Sequence, residues 1–363
     1  MRSDFGQATR QFLTTATNPL LLVDFPGQKL FAKATVETCI LLLSADSNQH
    51  QMQACSTIKR EKGLYAYVHG HLTSCDFSGA EDWVIRSEMD WTILKKVQLR
   101  ADVLASWHID IHFGLKTGRN DVFIVNDSKK QDILAHCQTE EERNRTAEIF
   151  KPLVKGEDLK RHKVNFADRW LIHTHNGIKD QETKEVIVPK IDINDYPALK
   201  AYLDAYSDKI SNRSDQGDTF YNLRNCVYWP DFEKPKIMWG EISDKPKFCF
   251  DEDKGYYMEA TTFFMTGDQL IYLLVYLNSP LSAYLFSKLG TTTGAGTLRW
   301  KKYKVEQQLV PDVTPDDEQR IIDLYRKYQQ TNDESNLEEA YHILYNIVGL
   351  SKEEIAYIEE NEF

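Results

Sequence analysis

Apolar residues in this chain gather in short continuous runs, separated by long polar and charged stretches. Near the start, LLLVDF at 20–25 and TVETCILLL at 35–43 are such runs. They predict strands covered on both faces, as in an α/β sheet. Residues 2–16 ahead of them predict a helix with Phe5 and Phe12 as its apolar positions. One helix and two strands cannot close a sheet of that kind, so further strands are expected upstream of Met1. Residues 44–90 are mixed, with a weak strand signal at Leu64 to Val68. Two apolar runs then flank a Gly114–Asp121 loop, which reads most simply as a hairpin turn. Residues 140–150 predict a charged helix. Residues 195–210 predict an amphipathic one, with Leu199, Tyr202, Leu203, Tyr206 and Ile210 on one side. The segment 219–243, TFYNLRNCVYWPDFEKPKIMWGEIS, predicts strand, loop and strand around its two prolines. Residues 248–264 predict two more strands around Asp251 to Gly255, and 270–289 a long apolar helix broken at Pro280. Residues 315–363 predict helix.

Charge changes this picture. The net charge of −11 argues at first against a nucleic-acid partner. From Pro315 onward, however, there are 4 basic and 13 acidic residues, so the preceding 314 residues carry only −2. An acidic tail on a near-neutral body leaves room for a basic groove. No apolar run approaches the ~18 residues of a membrane span, no charged-then-apolar leader opens the chain, and the expected location is cytoplasmic. Six scattered cysteines form no CxxC pair, which argues against a disulfide frame or a zinc knuckle.

The candidate chemistry lies in loops and at strand ends. In Gly114–Asp121, two glycines permit tight turns while Lys116, Thr117, Arg119 and Asn120 offer phosphate contacts. The loop fits neither GxxxxGK[ST] nor GxGxxG, so it does not support a triphosphate site. Lys155 and the cluster at Lys160, Arg161 and Lys163 follow, and Arg213 precedes the 219–243 segment. In that segment Arg224 and Asn225 have the donor pattern that reads guanine and adenine edges. A Gly/Thr loop at 290–297 feeds Arg299, Trp300, Lys301, Lys302, Tyr303 and Lys304, cations interleaved with aromatics as a polyanion surface requires. Each set reads equally as the solvated charge of an ordinary surface. His69, His71 and Cys75 have no fourth ligand at a recognisable spacing, and His173 with His175 reads as exposed or structural. Asp231, Glu252 and Lys254 fit a metal-dependent nuclease pattern on paper, but Glu252 to Gly255 reads as a turn.

Together these segments resemble a known family. GLKTGRNDVF, FKPLVKGEDLKR with a following RW, DYPALKAYLDAY, the 219–243 segment and TTTGAGTLRWKKYKVEQQLVP occur in that order. They are similar to the target-recognition region of type IIG restriction–modification enzymes and adenine-specific DNA methyltransferases, the TaqI-like C-terminal specificity domain. The start of the chain resembles the last helix and strands of the family's methyltransferase domain, and its end the family's closing helices. The resemblance implies an α+β fold: a mixed-sheet recognition domain at 106–312, preceded by a Rossmann-like remnant at 1–45 and a connecting region at 46–105. An acidic helical tail at 313–363 would follow. It implies double-stranded DNA as partner, and S-adenosylmethionine as the cofactor of a complete enzyme. The family's Gly-rich cofactor loop and its Asn-Pro-Pro-Tyr/Phe motif do not occur here. The expectation is therefore a recognition half without catalysis or cofactor of its own, served by a separate methyltransferase or nuclease half. The alternatives are a divergent metal-dependent nuclease and a protein-docking module.

Overall fold

The computed structural model describes residues 6–361 except 27, 29, 32, 35, 37, 58–62, 78–82, 181 and 290–297. The Gly/Thr loop at 290–297 and Phe5 lie outside the described residues. The chain forms two compact units, one of residues 1–107, 242–246 and 271–363, the other of 108–241 and 247–270. Both mix helices with small sheets, so the fold is α+β.

In the first unit a four-stranded sheet runs in the order Thr38–Ser44, Asn18–Phe25, Met52–Ser56, Thr73–Cys75. Asn18–Phe25 pairs antiparallel with Thr38–Ser44 and parallel with Met52–Ser56. Both apolar runs near the start are strands. The second is not covered on both faces: Ile40 is 51% and Leu42 52% exposed on this outermost strand. The helix Gln7–Ala16 buries Arg10 and Thr14 and leaves Phe12 62% exposed, so Phe12 is not a core position. The weak strand signal at Leu64 to Val68 proves to be helix Leu64–Gly70, where no β-branched run resists helical packing. Helices Leu270–Leu277 and Pro280–Ser287 meet at 66°, bent where Pro280 removes a donor. No single helix among the described residues is long and apolar enough to cross a membrane. Three helices, Pro315–Thr331, Ser335–Val348 and Lys352–Glu360, close the chain.

The second unit holds two four-stranded sheets. One has the order Tyr257–Met258, Phe150–Val154, Arg169–Ile172, Ile124–Asn126; the other Cys249–Asp251, Lys236–Gly240, Thr262–Gly267, Ile109–Phe113. The runs flanking Gly114–Asp121 therefore belong to different sheets, and the loop is a crossing between them, not a hairpin turn. Residues 248–264 contribute three strands in place of two, and Tyr257–Met258 leaves its neighbours to pair parallel with Phe150–Val154. The first apolar run of 219–243 is not a strand. Cys226 to Tyr228 lead into the short 3₁₀ turn Trp229–Glu233, which Pro230 starts by fixing its backbone angle; Lys236–Gly240 alone is a strand. The amphipathic segment at 195–210 folds as Pro197–Asp204 and Ser207–Ile210, with Leu199, Leu203 and Ile210 fully buried.

Charge is buried here on purpose of geometry. Lys236 is wholly enclosed and donates to Asp251 at 2.5 Å and to the Phe232 carbonyl at 2.7 Å. Asp251 also accepts from the Lys254 and Tyr256 amides. Every atom that could carry an uncompensated charge is satisfied, as burial at this depth demands. The pair ties the 229–233 turn to the 251–256 turn, and so fixes the floor on which the loops stand.

Candidate nucleic-acid interface

Two loops of the second unit converge. Gly114 begins the first, with its amide bonded to the Thr262 carbonyl; a Cβ there would sit 2.0 Å from the Glu259 carbonyl oxygen. Only glycine lets the backbone cross so close. Thr117, buried to 2%, donates its hydroxyl to Asn120 Oδ1 at 2.5 Å and accepts from the Arg119 amide at 3.1 Å. Asn120 Nδ2 in turn donates to Glu259 Oε1 at 2.5 Å. Thr117 and Asn120 thus brace the loop, while Lys116 is exposed and has no charged or hydrogen-bonded partner among the described residues. Arg119 lies against Asp121 at 3.2 Å.

The second loop, 213–225, is locked to the first by Arg213. Its guanidinium is 6% exposed and donates to the carbonyls of Thr117, Asp215, Phe220 and Asn222, over the face of Phe123 at 4.3 Å. Burial pulls its pKa down to about 10, which leaves it charged at neutral pH. Arg213 is a buried staple, out of reach of any ligand phosphate. Farther along, Arg224 is exposed and pairs with Asp215 at 3.2 Å. Asp215 is itself near the surface, so Arg224 does not hold a core carboxylate. Asn225 Oδ1 accepts from Asn176 Nδ2 at 2.5 Å, and Asn176 also grips Asp218. One lone pair and the amide donors of Asn225 remain for another partner.

The convergence forms a cleft of 370 Å³ lined by Lys116, Arg224 and Asn225 together with Phe113, Cys226 and Tyr228. The sequence singled out the Lys116 loop and the Arg224–Asn225 pair as separate candidates. The fold sets them on one cleft. A neighbouring depression carries Arg119, Asn120 and Glu259, and a third carries Lys155 and Arg169. Lys155 approaches Glu259 at 3.5 Å, whereas Arg161 sits exposed in the tight turn after Leu159–Lys160, off these three hollows. Burial pushes the Cys226 thiol up to about 12, which removes it as a nucleophile.

Arg299, Lys301 and Lys302 belong to the first unit and are half-buried. Trp300 between them is buried against Phe286, ring centroids 3.9 Å apart, and Lys302 faces Glu306 at 3.7 Å. Lys304 is buried and donates to the Leu289 carbonyl. His173 is buried among aromatic rings, edge-on to Trp229 and tilted against Tyr257, so of the two readings it is the structural one. Glu252 to Lys254 form the expected turn, with Glu252 and Lys254 exposed and Asp231 held by Lys234 and His112. Among the described residues no three His, Cys, Asp or Glu side chains are placed to hold a metal ion. Phe113 and Glu259 had no sequence signal of their own, since only strand pairing brings them to the loops, and Asp215 gave none within its own loop.

Residues 151–308 match the model of the TaqI-like C-terminal specificity domain. The chain is 23% identical over 297 residues to Type II methyltransferase M.BstVI of Geobacillus stearothermophilus, covering 78% of this chain and 47% of that protein. It is 20% identical over 295 residues to Type II methyltransferase M.BanIII of Aneurinibacillus aneurinilyticus, covering 77% and 48%. The chain thus spans about half the length of the curated relatives it matches. Among solved structures, the type IIL restriction–modification enzyme MmeI, determined in complex with DNA, shares the fold with a TM-score of 0.54. Its identity is 12%, over 96% of this chain and 46% of that one. The type IIG restriction endonuclease BpuSI aligns at a TM-score of 0.45 and 13% identity, over 96% and 45%.

Proposed function

We propose, from the premise that residues 151–308 are a TaqI-like C-terminal specificity domain, that this chain grips duplex DNA and reads a short sequence for a restriction–modification methyltransferase. The observation that carries the reading is the single cleft shared by Lys116, Arg224 and Asn225. Lys116 neutralises phosphate. Arg224 and Asn225, held by Asp215 and Asn176, meet base edges, where each good pair of hydrogen bonds discriminates by ~1–3 kcal/mol. Lys155 and Arg161 extend the grip along the same unit, and Arg299, Lys301 and Lys302 are backbone-contact candidates on a unit of their own.

In this reading the reaction is transfer of a methyl group from S-adenosylmethionine to adenine N6, performed by a methyltransferase half. The Rossmann-like remnant proposed at 1–45, with its helix Gln7–Ala16 and strands Asn18–Phe25 and Thr38–Ser44, would be the edge of that half's sheet. The residues present do not fit the cofactor: neither the Gly-rich loop nor Asn-Pro-Pro-Tyr occurs in the sequence. No step of the transfer is therefore assigned to them.

The test is a salt titration of binding to a mixed-sequence duplex, with wild type and Lys116→Ala. The expected result is a steep loss of affinity with salt, and a log–log slope about one unit shallower in the variant. No binding at low salt would overturn the function. An unchanged slope would remove Lys116 from the phosphate contacts.

A further inference from the structure

Among the described residues of the second unit, Phe113 is the most exposed Phe, Tyr or Trp, at 49%. It ends the strand Ile109–Phe113, which is the outermost of its sheet, and it lines the cleft with Lys116 and Arg224. Behind it the rings form a row across the sheet. Phe113 lies opposite Phe263 with centroids 5.1 Å apart, and Phe263 stacks on Trp239 at 5.6 Å and 18°. Trp239 rests on Phe248 at 5.3 Å. Phe263, Trp239 and Phe248 are all at most 3% exposed, so the row is rigid and ends in one open ring.

A large apolar ring left open to water costs free energy that burial in the sheet would have recovered. Its setting gives it an occupant. Lys116, three residues on, and Arg224 supply positive charge to the same cleft, and Asn225 supplies amide donors to it. A rigid aromatic face among cations accepts the flat face of a base whose phosphates the cations neutralise. Base pairs within an undisturbed duplex present no such face, because each is covered by its neighbours. We infer that Phe113 is a stacking platform for a base displaced from the stack of the bound duplex, distinct from the edge-reading role of Arg224 and Asn225. The inference rests on the DNA-binding reading above and adds a deformation of the DNA to it.

The experiment compares two mixed-sequence duplexes, one fully paired and one carrying a single bulged adenine, bound by the whole chain in wild-type, Phe113→Leu and Phe113→Trp forms. Leucine keeps apolar bulk against Phe263 and removes the aromatic face, so folding is retained and a melting curve verifies it. Wild type is expected to bind the bulged duplex about tenfold more tightly, Phe113→Leu to lose that preference, and Phe113→Trp to keep it. Equal binding of both duplexes by wild type, or an undiminished preference in Phe113→Leu, would overturn the platform while leaving DNA binding intact. Binding of neither duplex would overturn both.

Discussion

Arg213→Ala separates a structural cation from a DNA-contacting one. The native guanidinium donates to four backbone carbonyls, of Thr117, Asp215, Phe220 and Asn222, and lies over Phe123. Alanine removes all four donors and leaves acceptors of two loops facing a void. Each hydrogen bond to a charged group contributes about 1.5–3 kcal/mol, but the loops relax and readmit water, so the sum is not additive. A net cost of about 4 kcal/mol is the expectation, at the upper end for one substitution. In a unit of this size that corresponds to a melting temperature lower by about 8–16 °C. Circular dichroism melting gives the shift, and limited proteolysis at low temperature should show new cleavage in 213–225. DNA affinity should fall, and sequence preference with it, because Lys116 and Arg224 lose their common scaffold. A melting temperature within a degree or two of wild type, together with weaker DNA binding, would refute the staple and return Arg213 to the DNA surface.

Two further substitutions probe the same unit. Lys236→Met leaves the Asp251 carboxylate buried against two amides without its cation, and should cost about 3–5 kcal/mol in urea unfolding. A change under about 1 kcal/mol would mean the carboxylate finds water. His162 is half-buried beside Arg161, and its pKa is lowered from 6.5 to about 3 by desolvation first and by that charge second. The unfolded chain therefore takes up a proton that the folded one refuses. His162 draws stability down as pH falls from 6.5 towards about 3, by about 1.4 kcal/mol per unit at most. His162→Asn suits the left-handed backbone there, φ 59°, and should flatten the acid limb of a stability–pH curve; an unchanged limb would assign the loss to other groups.

What could be read from the sequence follows from range. Local signals served well: the apolar runs at 20–25 and 35–43 hold the strands Asn18–Phe25 and Thr38–Ser44, the break at Pro280 is real, and the charged segment 140–150 holds helix Glu140–Ile149. Non-local pairing did not show. Nothing in Gly114–Asp121 says that its flanking strands enter different sheets, because strand partners are chosen by the core they bury, not by proximity in sequence. The same blindness placed Arg213 among the DNA contacts. An arginine between polar residues looks solvated until the fold closes four carbonyls around it. Val227 and its neighbours failed as a strand because Pro230 and the buried Lys236–Asp251 pair impose a turn. Residue type alone singled out Lys116 and Arg224, and their meeting on one cleft was not legible.

Sequence reading is the central claim, and selection tests it without knowing the site. The intact chain is incubated with duplexes carrying a randomised centre, at moderate salt, and bound DNA is recovered, amplified and sequenced over successive rounds. The account predicts enrichment of one short sequence containing guanine or adenine at defined positions, with Arg224→Ala relaxing preference at one of them by about 1–3 kcal/mol. Retention of DNA with no sequence enriched would contradict it, leaving a backbone-binding module that does not read.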